Sequence, residues 1–212
     1  MTPEQSALRF DDRLRRRMER HLRSFQRVAA GADQLRPAAV AVTIVGNDHG
    51  EACFLITRRA ARLRSHAGQW ALPGGRIDGS ETATEAALRE LAEELELKLD
   101  QSSVLGMLDD YPTRSGYCVT PVVLWAGATA AVTPVPAEVQ SVHVVPLATL
   151  EGPDVPRLVH IPESERIVIQ VPLLGRLVHA PTAAVLYQLR EVALHGRPTR
   201  VAQFEQPVFA WR

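Results

Sequence analysis

Residues 82–97 constrain the fold most tightly. Thr82 and Glu85 have capping-box spacing, in which each side chain accepts the other's backbone N–H, so a helix starts near Ala83. Counting about 100° per residue from Glu90, Leu91 lies near 100°, Leu95 near 140° and Leu88 near 160°, with Ala92 at the margin of this apolar stripe. On the same wheel Glu93 falls near 300° and Glu94 near 40°, so Glu90, Glu93 and Glu94 share an acidic arc of about 100°. The arc points away from the leucines and is expected to face solvent. Like charges at i,i+3 and i,i+4 cost about 0.2–0.5 kcal/mol each, and Arg89, which can pair with Glu93, cannot neutralise all three. A solvated acidic face is the plain reading of such a helix. Pro73-Gly74-Gly75 upstream adds a second element, because glycine lets a ligand or ion approach the backbone closely. Hard divalent cations take carboxylate oxygens and share them with substrate phosphates. A glycine turn feeding a helix with three carboxylates is therefore consistent with a metal–pyrophosphate site.

The rest of the chain reads as an α/β domain with a mixed sheet between helices. Residues 4–28 have helical spacing of Leu8, Leu14, Met18, Leu22 and Phe25, with arginines on the other face. Ala29–Pro37 is a connector of small residues. Ala38–Val45 and Ala52–Thr57 are apolar strands joined by turn chemistry at Asn47–Gly50, which predicts a hairpin. Residues 58–69 read as an irregular arginine-rich loop, and 103–108, 117–125 and 139–145 as strands. Pro156, Pro162 and Pro172 leave 154–180 without a regular reading. Ala183–Leu194 is a second helix, entered at Pro181-Thr182 and stopped at Gly196. This divides the chain into an N-terminal helical extension, 1–36, packed on a domain spanning 37–212.

Composition narrows the partners. With 24 Lys+Arg against 24 Asp+Glu the net charge is +0, whereas a general polyanion binder carries a basic excess, so no nucleic-acid partner is expected. Lys98 is the only lysine. Cys53 and Cys118 lie in apolar stretches without CxxC spacing and read as buried thiols of a reducing compartment. No apolar run approaches the ~18 residues needed to span a bilayer, and no secretory signal is visible, so the expectation is a cytoplasmic protein without a membrane partner. Trp70, Trp125 and Trp211 read as packing residues, and His143, His160, His179 and His195 are too scattered for a metal cluster.

From Gly75 to Leu97 the sequence runs Gly75, five residues, Glu81, seven residues, then Arg89-Glu90-Leu91-Ala92-Glu93-Glu94-Leu95-Glu96-Leu97. This resembles the Nudix box, G-x5-E-x7-R-E-U-x-E-E-x-G-U with U aliphatic, and departs from it only at Glu96, where the pattern has glycine. The resemblance implies an α/β/α sandwich around a mixed sheet and hydrolysis of a nucleoside diphosphate linked to another moiety, a small-molecule nucleotide substrate. It implies Glu90 and Glu94 as the main Mg²⁺ or Mn²⁺ ligands and Glu93 as a further ligand or the base that activates water. Glu81 would support the loop, Arg89 would orient a glutamate, and the Gly75 carbonyl would face the metal. A homodimer is a further family-level expectation. The missing glycine is expected to matter for the helix end, where a left-handed turn is costly for a residue with a side chain.

Immediately upstream, Leu55-Ile56-Thr57-Arg58-Arg59-Ala60, then Arg64, Gly68 and Leu72-Pro73-Gly74-Gly75, is similar to the element that marks coenzyme A pyrophosphatases among Nudix hydrolases, with Ile56 for leucine and Leu72 for phenylalanine. It implies cleavage of coenzyme A or its thioesters to 3′,5′-ADP and 4′-phosphopantetheine. Arginine's planar donors suit the phosphates of such a substrate, so Arg59 and Arg64, with Gly74 and Gly75, are the candidate substrate-binding residues, backed by Arg58, Arg62 and His66. The alternatives are another nucleotide derivative, such as ADP-ribose, a nucleotide sugar or a nucleoside triphosphate, and a non-catalytic module that senses a nucleotide.

Overall fold

The computed structural model describes residues 8–30, 34–61, 68–127 and 132–210. Strand β1 (Arg36–Gly46) turns into β2 (Ala52–Arg59) as an antiparallel hairpin, and Asn47 closes the turn by accepting the His49 and Glu51 backbone N–H groups through its side-chain oxygen. β3 (Trp70–Ala71) pairs with β2, and β4 (Gly74–Arg76) pairs with β1. After helix α2 (Ala83–Leu95) come β5 (Val104–Met107), β6 (Tyr111–Pro112), β7 (Tyr117–Trp125) and β8 (Val139–Pro146). β7 lies parallel to β1, while β8 pairs antiparallel with β2, so the sheet is mixed as expected.

Alternation along the central strands builds the two layers. Ala39 and Ala41 of β1, Cys53 and Leu55 of β2 and Val122 and Leu124 of β7 share one buried cluster with Ala86, Ala87, Leu91 and Leu95 of α2. Their neighbours Val42, Ile44, Phe54, Ile56, Val123 and Trp125 point the other way, into the larger core. There they meet Leu14, Met18 and Leu22 of α1 (Asp12–Ser24) and the apolar face of α3 (Thr182–Gln188), which runs on as a π-helical stretch over Leu189–Leu194. The result is an α/β/α sandwich.

Three expectations need correction. Of the expected helix 4–28, residues 4–7 lie outside the described residues, and over the rest the first helix covers only 12–24. The Asp11 side chain caps it at 2.8 Å from the Leu14 N–H, while residues 8–10 and 27–30 are drawn away by Glu51, Asp109 and Asp110. Arg58 and Arg59 are strand residues, not loop, because β2 is held there by Trp70 on one side and by Ser141 and Val139 on the other. The proline-broken stretch 154–180 forms a three-stranded antiparallel meander of β9 (Arg157–Ile161), β10 (Ser164–Leu173) and β11 (Arg176–His179). Its prolines sit ahead of β9, in the β9–β10 turn and within β10, so none of them prevents the pairing.

Glu205, 1% exposed, ties the chain's last segment to this meander. It accepts from Arg114, the Ser164 hydroxyl and the Gln206 N–H, and these donors, Arg114 foremost, hold its carboxyl at about 2. A depressed folded pKa contributes stability above the ordinary glutamate pKa and loses it as pH falls toward the folded value. Glu205→Gln should therefore lower thermal stability at pH 7 and flatten the stability loss between about pH 4.5 and 2. Melting curves over that range check it, and an unchanged slope would refute it.

Candidate active site

Pro73-Gly74-Gly75 runs beside β1, with Val40 opposite Gly74 and Ala39 opposite Gly75. A Cβ on Gly74, whose φ is +156°, would sit 2.3 Å from the Ala39 carbonyl oxygen, and one on Gly75 would sit 2.2 Å from Glu90 Oε1. The glycines let the turn lie flat on the strand and leave room for a carboxylate against it. The Thr82–Glu85 capping box is present in both directions, and α2 starts at Ala83 as its spacing predicts.

Helix α2 does not turn its acidic arc wholly to solvent. Ala86 and Ala87, facing Ala39 and Ala41, let the helix lie close to the sheet, and this centres the buried face nearer the glutamates than the leucines indicate. Glu94 is 2% exposed, the Glu90 side chain 14% and the Glu93 side chain 56%. Leu88, assigned to the buried stripe, is only partly buried. Burial pushes the Glu94 carboxyl up to about 8, helped by the charges of Glu90 and Glu138 and opposed by Arg59 and the Gly74 N–H. Glu90 is raised as well, by burial first. Glu138, just before β8, is a site residue that sequence reasoning missed, since nothing near it in the chain marks it.

Arg89 organises the outer carboxylates. Its Nε and Nη2 donate to the two oxygens of Glu81 at 2.8 and 3.0 Å, and Nη1 donates to Glu90 at 2.9 Å and Glu93 at 3.0 Å. Glu81 also accepts the Asp78 N–H, so it pins the loop before α2, and the Arg89 bonds hold its carboxyl below the usual range. Arg59, at the end of β2, places a guanidinium nitrogen 3.7 Å from Glu94 Oε1, while its Nε is buried with no hydrogen-bond partner among the described residues. Arg64, Arg62 and His66 lie outside the described residues.

A hard cation would suit this donor set, which is carboxylate oxygen throughout, and Glu94 is a buried acid with Arg59 beside it. Glu90 lies under Gly75, where no Cβ shields it. As they stand, no three of the described His, Cys, Asp or Glu side chains converge as a finished cage, because Arg89 holds Glu93 and one oxygen of Glu90. The expected trio is thus gathered on one helix but graded from the buried Glu94 through the partly buried Glu90 to the exposed Glu93.

A cleft of about 570 Å³ opens beside the glycine turn. Gly74, Gly75 and Arg59 line it and also touch the carboxylates of α2, so they join the cleft to the acidic helix. Trp70, Tyr117, His179 and Phe209 form much of the remaining wall. Of these, sequence reasoning singled out only Trp70 and His179, and neither as a cleft residue.

Glu96 closes α2 in the left-handed conformation, φ 53° and ψ 16°, at the position where the box has glycine. A side chain there costs about 1 kcal/mol. Glu96→Gly should raise the melting temperature by about 2–4 °C without loss of activity; a lower melting temperature would show that the glutamate stabilises this end.

A NUDIX domain is matched over residues 35–164, more than half of the chain. The chain belongs to the Nudix family. Among similar proteins, a Pectobacterium atrosepticum protein named uncharacterized Nudix hydrolase NudL is 46% identical over 91 residues, 42% of this chain and 46% of the relative. A Photorhabdus laumondii protein of the same name is 40% identical over 118 residues, 55% of this chain and 62% of the relative. The matches thus span about half the length of these relatives. Of solved Nudix structures, RenU of M. smegmatis superposes with a TM-score of 0.51 at 21% identity, covering 75% of this chain and 86% of that one. An Enterococcus faecalis MutT/nudix family protein gives 0.51 at 16% identity, covering 82% and 68%. These two likenesses speak for the Nudix fold alone. Among the described residues of this Nudix chain, no helix is long and apolar enough to cross a membrane.

Proposed function

We propose that the chain is a metal-dependent Nudix pyrophosphatase that hydrolyses coenzyme A or its thioesters to 3′,5′-ADP and 4′-phosphopantetheine. The observation that carries this reading is the meeting of its two motifs. Arg59 from the upstream element lies 3.7 Å from Glu94 of the box, and both Arg59 and the Gly74–Gly75 turn line the cleft. An arginine that borders a buried carboxylate and an open cleft is placed to hold a diphosphate between them.

Glu90 and Glu94, with Glu93, are the residues that would hold Mg²⁺ or Mn²⁺, which when bound neutralises pyrophosphate charge and lowers the pKa of a water. Glu93 is the most exposed of the three and its Oε2 is fixed by Arg89, which suits it to take a proton from the attacking water. Arg89 acts by positioning, because its guanidinium fixes Glu81, Glu90 and Glu93 relative to one another. Arg59 and the turn's backbone bind and orient the diphosphate; Arg64 belongs to the same proposal on the strength of its motif position.

Mass spectrometry of the products formed from coenzyme A with Mg²⁺ or Mn²⁺ in labelled water tests this reading. The expected result is 3′,5′-ADP and 4′-phosphopantetheine, one of them carrying the label. Failure on coenzyme A with rapid turnover of ADP-ribose would overturn the substrate assignment. Nucleotide binding without any cleavage would overturn the enzymatic one.

A further inference from the structure

At the mouth of the cleft two arginines converge on one tyrosine. Arg36 opens β1, Tyr117 opens β7 directly beside it, and Arg76 of β4 lies opposite Ala38 on the other side of β1. Residues two apart on a strand share a face, so the three side chains rise from one face of the sheet. Arg36 covers the Tyr117 ring, with its guanidinium carbon 4.0 Å from the ring centre, and donates to the Ser115 carbonyl at 3.1 Å. From the other strand Arg76 donates through Nε and Nη2 to the Tyr117 hydroxyl oxygen at 3.2 and 3.0 Å. That oxygen accepts from Arg76, which leaves its own proton to be donated elsewhere.

Charge balance separates this pair from the arginines that hold the fold's buried and partly buried acids. Arg27, Arg89, Arg114 and Arg200 each answer a carboxylate, whereas among the described residues neither Arg36 nor Arg76 forms an ion pair. Two unneutralised guanidinium groups against one ring repel each other, and an anion lodged between them relieves the repulsion. Arg76, Ser115 and Tyr117 line the cleft, and Arg76 directly follows Gly75 in the chain. The cluster is therefore within the reach of a substrate whose diphosphate lies on the glycine turn.

We propose that Arg36, Arg76 and Tyr117 form a subsite for a phosphomonoester carried on the ribose of the substrate, distinct from the diphosphate that is cut. A phosphomonoester has a charge near −2 and three acceptor oxygens, which matches two arginine forks and a phenol proton. Arg36 already occupies the ring face, so Tyr117 serves as a hydrogen-bonding post and not as a stacking platform for the base. The proposal rests on the pyrophosphatase reading above, under which this group is the 3′-phosphate of coenzyme A.

The test is calorimetric binding of adenosine 3′,5′-bisphosphate, adenosine 2′,5′-bisphosphate and 5′-AMP to the full chain and to Arg36→Gln, Arg76→Gln and the double variant. In the unsubstituted chain the preferred bisphosphate should bind about tenfold tighter than 5′-AMP, as charge-assisted hydrogen bonds allow. Each single variant should shrink that ratio several-fold, the double variant should erase it, and Arg76→Lys should keep part of it. Both arginines are exposed, and matching melting curves establish that the variants are folded. An equal ratio in the unsubstituted and double-variant chains would overturn the subsite, as would no preference for either bisphosphate. A preference for the 2′ isomer that the double variant loses would support the subsite and remove coenzyme A as the substrate. In the kinetic arm, the kcat/KM ratio of coenzyme A to its analogue lacking the 3′-phosphate should fall about tenfold in the double variant; an unchanged ratio would count against the subsite even where coenzyme A is cleaved.

Discussion

Glu94→Gln should lower the turnover of coenzyme A by about 10³-fold, equivalent to about 4 kcal/mol of transition-state stabilisation. The substitution keeps the side-chain shape and removes, at a position that is 2% exposed, the carboxylate that would carry a negative charge against a bound cation. Burial is what makes the loss large: a charge in a desolvated site acts at low effective dielectric, where its attraction for a cation is strongest. Glu90→Gln, partly covered by the glycine turn, should behave alike. The fold should survive both, because burial already disfavours the ionised form of these acids and an amide relieves that penalty. Steady-state kinetics at saturating Mn²⁺, with Mn²⁺ affinity followed by electron paramagnetic resonance, separates loss of the ion from loss of chemistry. Turnover within about threefold of the unsubstituted chain in both variants would place the metal site elsewhere.

Asp109→Ala should be the most damaging single change outside the site. Asp109 is 3% exposed and accepts from the Val28 N–H at 2.7 Å, from Arg200 at 2.8 and 3.0 Å and from Gln188 at 2.7 Å. Gln188 is fully buried and returns a bond from the Asp109 N–H, while Arg200 reaches on to the Gln26 carbonyl and lies over the Phe25 ring. One carboxylate thus ties the exit of α1, the end of α3 and the segment after it. Removing it leaves the Val28 N–H without its acceptor and takes one acceptor from Gln188, which keeps the Thr199 carbonyl, and from the partly exposed Arg200, at a cost of about 3 kcal/mol. At about 2–4 °C per kcal/mol for a chain of this size, the melting temperature should fall by about 10 °C. Asp109→Asn, which keeps an acceptor and the shape, should lose less. A fall under 2 °C in Asp109→Ala would show the network to be dispensable.

These two residues differ in how they can be read. Glu94 stands in a spaced pattern within sixteen residues, where helix geometry alone brings the acids together and the capping box sets the start. The left-handed helix end at Glu96 was suggested only by the resemblance to the Nudix box, which has glycine at that position. The side of the helix that is buried was not legible, since it depends on the alanines of β1 lying under Ala86 and Ala87. Asp109 stands in no motif. Its partners lie near 28, 188 and 200, and no local periodicity reports contacts at that separation. The cleft wall is the same case, as β7, β11 and the stretch near 206–209 converge on it from distant parts of the chain.

What the amino-acid order determined by itself was the acidic helix, the glycine turn before it and the strands whose alternation is strong. All of these follow from dihedral preference, capping and side-chain spacing over a few residues. Tertiary structure alone decided that Glu94 is buried while Glu93 is open, that Arg59 stands beside an acid, and that Arg36 and Arg76 both meet Tyr117, which lines the cleft. Those outcomes depend on strand register and helix–sheet approach, which arise only when surfaces far apart in the chain are packed together.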